Sequence, residues 1–176
     1  MITFQKIGFR PIEFGDLETL RLIRNDASTL LNLGTAELID PQDQEKWWKS
    51  LANTQTAKRF SIVELENQHV IGMIRVQNIE MVNRNCEIGL DIAKGMRGKG
   101  YGRMTYHALL SYLFDHYNMN MVYLRYIPTN LTAANLYNSL GFNETGHFKE
   151  FIYRDGKYLD YKIMCLTKKE YQEQAR

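Results

Sequence analysis

Between Met96 and Leu110 the chain reads MRGKGYGRMTYHALL. Glycines at 98, 100 and 102 alternate with the cations Arg97, Lys99 and Arg103, and an apolar run with helical spacing follows at once. A strand-like stretch, CEIGLDIA (86–93), precedes it. Strand, glycine turn and helix start together make an anion site. The first N–H groups of a helix lack intrahelical acceptors, the helix dipole adds positive potential there, and glycine lets the backbone curl around the anion. Two common nucleotide loops are excluded. Counted from Gly98, the third glycine of the dinucleotide fingerprint is Arg103; counted from Gly100, it is Thr105. The Walker loop needs a glycine where Ala93 stands and a hydroxyl residue where Gly100 stands. What remains is Arg97-x-x-Gly100-x-Gly102, read either as a phosphate grip or as a turn with solvated cations.

Periodicity and stop signals give the elements around this turn. KIGFRPIEF (6–14) reads as a first strand stopped by Pro11. Asp16 caps a helix through about Asn25, with Leu17, Leu20, Leu22 and Ile23 as its apolar stripe. Asp40-Pro41 starts a second helix, with Asp43 in its first turn and Trp47, Trp48 and Leu51 beyond. RFSIVEL (59–65) and HVIGMIRVQNI (69–79) flank the polar turn Glu66-Asn67-Gln68 as a hairpin. CEIGLDIA is the next strand, and Gly89 inside it predicts a bulge or a close backbone approach. A helix from Tyr101 to about Tyr117 precedes the strand MVYLRYI (121–127), which Pro128 ends. Asn130 or Thr132 caps a short helix stopping at Gly141. FKEFIYRDGKYLDYKIMCL (148–166) is a hairpin around Asp155-Gly156. The expected product is one mixed α/β domain (α+β) over residues 1–176 with a largely antiparallel sheet.

A chain of 176 residues can bury a proper core. Its formal net charge of +2 argues for neither a nucleic-acid partner nor a membrane surface. The apolar runs are too short for a membrane-spanning helix, and MITFQKIGFRPIEF has no secretory pattern, so a cytoplasmic location is expected. Cys86 and Cys165 read as core thiols of a reducing compartment. His69, His107, His116 and His147 have no metal-ligand spacing, and no metal is expected.

A second constellation, NLTAANLYNSLGF (130–142), puts Asn130 at a helix start, Ala133 and Ala134 in its first turn, Tyr137 mid-helix and Gly141-Phe142 at its exit. Together, Arg97-x-x-Gly100-x-Gly102 and Asn130-x-x-Ala133-x-x-x-Tyr137-x-x-x-Gly141-Phe142 resemble the GNAT superfamily of acetyl-CoA-dependent N-acetyltransferases. FRPIEFGDLETL and GHFKEFIYRDGKYLDYKIMCL are similar to the opening and closing of the branch that holds spermidine and ribosomal-protein N-terminal acetyltransferases. The resemblance covers roughly residues 8 to 170.

This resemblance implies a twisted, mostly antiparallel sheet of six to seven strands, about four helices and a V-shaped splay between the two central strands. It implies acetyl-CoA as cofactor. Backbone groups from Arg97 through Gly98, Lys99, Gly100, Tyr101 and Gly102 to Arg103 would hold the diphosphate. Leu90, Asp91 and Ile92 would meet the amide-bearing arm as an added strand does, and an N–H there would polarise the thioester carbonyl. Asn130 and Ala133 border the arm, Asn130 as contact, helix cap or both. Tyr137 matches the family's general acid, against a purely packing role. Glu87 matches a glutamate of the spermidine branch and would take the amine proton, directly or through water, or attract the cation; its other reading is a solvent-facing strand residue. The acceptor pocket would draw on Arg24, Asn25, Trp47, Trp48, Glu150, Tyr153, Tyr158 and Asp160, which otherwise read as core and strand residues. The stretch LLNLGTAELIDP (30–41) holds only Glu37 and Asp40, little negative charge for a polyamine. A small amine, an amino sugar or a peptide N-terminus is therefore the expected acceptor, spermidine the alternative, and a homodimer the family's analogy. The competing class is a non-catalytic acyl-CoA-binding module.

Overall fold

The computed structural model describes residues 1–174. Its strands are β1 (Ile2–Phe4), β2 (Ile7–Pro11), β3 (Lys58–Glu64), β4 (His69–Glu80), β5 (Asn85–Ile92), β6 (Met121–Tyr126), β7 (Asn143–Arg154) and β8 (Lys157–Thr167). They form one sheet in the order β1-β2-β3-β4-β5-β6-β8-β7. Every pairing is antiparallel except β5 with β6. The helices are α1 (Leu17–Asn25), α2 (Ala27–Leu30), α3 (Pro41–Ser50), α4 (Tyr101–Ser111), α5 (Leu131–Ser139) and α6 (Lys168–Gln174). The expected mixed α/β architecture is present. β1, α2 and α6 are additions to it; each is short and carries little periodicity.

The local chemistry explains most boundaries. Asp40 accepts from the Asp43 N–H at 2.8 Å, with Pro41 opening α3. Asn130 accepts from the Ala133 N–H at 3.1 Å. Asp155 and Gly156, with φ of 49° and 77°, close the last hairpin. Within α1, Leu17, Leu20 and Ile23 are buried, whereas Leu22 lies off the stripe and is exposed. The helix opening at Tyr101 keeps α geometry to Ser111, then widens for one turn, where the Tyr117 N–H reaches the Tyr112 carbonyl at 2.8 Å. α4 packs Tyr106, Leu109 and Leu110, and the widened turn Leu113, into the main core.

Two features of β4 and β5 shape the site. No bulge occurs at Gly89: the register runs unbroken from Gly72↔Ile92 to Gln77↔Glu87. The irregularity sits on β4 between Gln77 and Glu80, where Asn78 has φ 51°. Gly89 instead makes room for its cross-strand partner, since a Cβ there would lie 2.9 Å from Arg75 Nη2. Secondly, β5 and β6 pair only at Asn85↔Met121, Cys86↔Val122 and Glu87↔Tyr123. Both strands continue beyond, so they splay and leave one flank of β5 from Ile88 to Ile92 without a neighbouring strand.

Candidate active site

A cavity of about 1040 Å³ opens along that splay. At one end lies the glycine turn. Gly98 and Gly100 hold φ of +75° and +84°, a region that disfavours residues with a Cβ, and a Cβ at Gly98 would meet nothing within 4 Å. From Gly98 to Arg103 no backbone N–H finds an acceptor among the described residues. Arg103 lines the cavity. Arg97 is committed elsewhere: Nε donates to the Ile92 carbonyl at 2.9 Å, Nη1 to Ser28 Oγ at 2.8 Å and Nη2 to Thr29 Oγ1 at 2.6 Å. It therefore clips α2 to the turn instead of presenting a free cation. Lys99 is exposed, with Nζ 3.7 Å from Met96 Sδ. Tyr101 donates its hydroxyl to Glu64, tying the start of α4 to β3.

Leu90, Asp91 and Ile92 form the released part of β5 and all line the cavity. So do Asn130, Ala133 and Tyr137 from the start and middle of α5. The Tyr137 ring stands edge-on to Tyr106 at 5.7 Å and to Tyr126 at 5.8 Å. Burial raises its hydroxyl above the ordinary tyrosine pKa, so the proton stays in place through neutral pH. Tyr106 is 1% exposed and lines the same cavity, and its hydroxyl is a buried side-chain polar atom with no partner among the described residues. Such an orphan is costly unless a ligand satisfies it.

Away from the turn the cavity floor is a polar sheet face, with α1 packed against β4 and β5. Cross-strand register puts Arg59, Arg75 and Gly89 in one row and Gln77, Glu87 and Tyr123 in the next. Arg75 passes over Gly89 to form an ion pair with Asp91. Glu87, 6% exposed, accepts from Arg125 Nε at 2.9 Å and Nη2 at 2.8 Å, and from Asn78 Nδ2 at 2.9 Å. Glu87 is thus buried and ion-paired, not solvent-facing. Arg24 and Trp47 line this end, as do Phe151 and Tyr161. Trp48 does not: its Nε1 donates to the Ile12 carbonyl at 3.2 Å and its ring packs on Phe14. Asn25 pins the loop after α2, exchanging two hydrogen bonds with Ile39 at 2.8 and 2.9 Å. Glu150, Tyr153 and Tyr158 lie outside the lining, on the exposed part of the last hairpin, where the Glu150 N–H donates to Asp160 Oδ1 at 2.9 Å.

Arg59, Arg75 and Arg125 were not singled out by the sequence reading. Their signal was present: polar residues recur every second position through Arg59-Ser61, Arg75-Gln77 and Glu87-Gly89-Asp91, which is the spacing of one strand face.

Residues 6–143 match the Acetyltransferase (GNAT) domain. The chain belongs to the GNAT acetyltransferase family. Among relatives of this acetyltransferase, the spermidine N(1)-acetyltransferase of Vibrio cholerae is 28% identical, over 94% of this chain and 95% of its own. The ribosomal protein uS5-alanine N-acetyltransferase of Escherichia coli is 24% identical, over 61% and 56%. The crystal structure of the V. cholerae spermidine N-acetyltransferase with CoA and spermine superposes with a TM-score of 0.89 at 25% identity, covering 96% of this chain and 99% of that one. The chain is accordingly an acetyl-CoA-dependent N-acetyltransferase. The residues present fit the donor: a row of unpaired N–H groups for its diphosphate, a free strand flank for its amides and an unpartnered hydroxyl in the same cavity. No helix among the described residues is long and apolar enough to cross a membrane.

Proposed function

We propose that this enzyme acetylates a primary amine carried by a small amine, an amino sugar or a peptide N-terminus, with Tyr137 as its general acid. Bound acetyl-CoA supplies an activated acyl group. The N–H groups of Gly98 to Arg103 hold its diphosphate, and the free flank at Leu90 to Ile92 orients its amide arm. Asn130 caps α5 and so aims Tyr137 along the splay. The Tyr137 hydroxyl gives its proton to the departing sulfur. Glu87, whose oxygens already accept from Arg125 and Asn78, positions Arg125. The two carboxylates lining the cavity, Glu87 and Asp91, are both ion-paired, so the amine proton leaves to water.

The observation that carries this reading is the half-buried Tyr137 side chain in the same cavity as the unpaired N–H row. Tyr137→Phe tests it. Acetyl-CoA affinity should be kept while turnover falls about 10²- to 10⁴-fold, the usual contribution of general acid–base catalysis; unchanged turnover removes the acid role. A polyamine acceptor is the second reading, favoured by similarity over almost the whole chain to spermidine acetyltransferases. A relative of that group has a dodecameric structure, which supports proposing self-association here, a homodimer being the smallest form. The free thiols Cys86 and Cys165 support a cytoplasmic location.

A further inference from the structure

Away from the glycine turn the cavity is lined by four guanidiniums, from Arg24, Arg59, Arg75 and Arg125, against the carboxylates of Glu87 and Asp91. Arg75 and Arg125 take up both carboxylates. Arg24 and Arg59 have no carboxylate partner among the described residues. Arg59 donates only to neutral oxygens: the Lys58 carbonyl at 3.0 Å, the Val76 carbonyl at 2.8 Å and Gln77 Oε1 at 3.0 Å. Arg24 makes a single hydrogen bond, to the Thr35 carbonyl at 3.2 Å. Two positive charges therefore stand in excess on this part of the lining.

That excess is costly without a ligand. Arg59 and Arg75 are Cα partners on adjacent strands, and like charges directly opposite destabilise a sheet. Burial and the Arg75 charge bring Arg59 down to about 10. Arg24 is likewise lowered, first by burial. Asp91 and Glu37 oppose that lowering of Arg24, but both carboxylates lining the cavity are already ion-paired, so a polycation entering here would meet net repulsion. An anion would meet a lightly engaged Arg24 fork and an Arg59 guanidinium whose bonds go to neutral oxygens, which a phosphate or carboxylate outcompetes by charge.

We propose that the acceptor is an amine bearing an anionic group, a phosphate or a carboxylate, which Arg24 and Arg59 receive while the amine faces Tyr137. This rests on the N-acetyltransferase reading and narrows its acceptor class. Polyamines and unmodified amino sugars are poor substrates, and charge selects among amines of similar size.

The test uses the full chain saturated with coenzyme A, so that the glycine turn is already filled. Inorganic phosphate is titrated in by calorimetry. The expected result is binding that weakens at least about tenfold in Arg24→Gln and in Arg59→Gln, the loss of one charge-assisted contact. Circular dichroism and the retained coenzyme A affinity show that each variant is folded. In parallel, thiol release from acetyl-CoA is followed with glucosamine against glucosamine 6-phosphate, with phosphoethanolamine against β-alanine, and with spermidine. The first pair isolates the anion; the second separates phosphate from carboxylate. Preference for an anionic amine, lost in the two variants, supports the proposal. No phosphate binding to the loaded protein, or spermidine turned over faster than every anionic amine, overturns it. Failure of coenzyme A itself to bind would instead sink the acetyltransferase reading.

Discussion

Asp91→Asn should be among the most damaging single changes in the cleft, and the structure gives its size. The Asp91 side chain is 8% exposed and its partner Arg75 is 23% exposed. Removing one partner of a buried pair costs about 3–5 kcal/mol, because the other charge is left uncompensated. Water reaches roughly a quarter of the Arg75 side chain, so the expected loss is about 2–4 kcal/mol. Arg59 opposite and Arg24 nearby add repulsion and hold the value in that range. For a chain of this length that lowers Tm by about 5–15 °C. The double variant Arg75→Met/Asp91→Leu removes both charges and keeps most of the volume, so it should be more stable than Asp91→Asn alone. Urea unfolding of wild type, Arg75→Met, Asp91→Leu and the double closes the cycle. A double variant as unstable as the sum of its singles would refute the claim that the pair exists to hold a charge in place.

Three other outcomes follow from the same coordinates. Gly100→Asp puts a Cβ where φ is +84° and a like charge beside the diphosphate, so calorimetry should show acetyl-CoA binding at least about tenfold weaker. Tyr106→Phe deletes an unpartnered buried hydroxyl; the ligand-free protein should gain about 1 kcal/mol in thermal unfolding while acetyl-CoA affinity falls. Asp16 is buried, which raises its pKa, but hydrogen bonds from Arg10, Ser61 and the Glu13 N–H outweigh this and hold it below the ordinary value. Its stabilisation is therefore present above the unfolded carboxyl pKa and disappears as pH falls through the lower folded value, so Asp16→Asn should flatten the acid limb of a stability-against-pH profile.

What could be read from the residues was local. The glycine turn, the Asn130 cap and the Asp155-Gly156 hairpin each declare themselves within a few positions, and each stands where its signal puts it. Register is different. Arg59, Arg75 and Gly89 meet only because three strands align, and no short window contains that fact. Gly89 shows the distinction: its presence was visible, but its cause is a guanidinium from the next strand and not its own backbone. Arg97 sat in the expected motif, yet its side chain turns to Ser28 and Thr29, a long-range choice that spacing does not encode. Tryptophans 47 and 48 are adjacent in the chain and face different surroundings for the plain reason that a helix turns between them.

The seam between β5 and β6 has one more implication. Three ladder pairs, with the Asn120 and Met121 N–H groups on the Arg84 carbonyl just before them, join the five-stranded half of the sheet to the three-stranded half among the described residues. Past Glu87 the flank of β5 on that seam has no strand partner among the described residues. On the proposed binding mode the donor substrate would complete the sheet as well as enter it, and the enzyme's stiffness would rise with the coenzyme concentration around it.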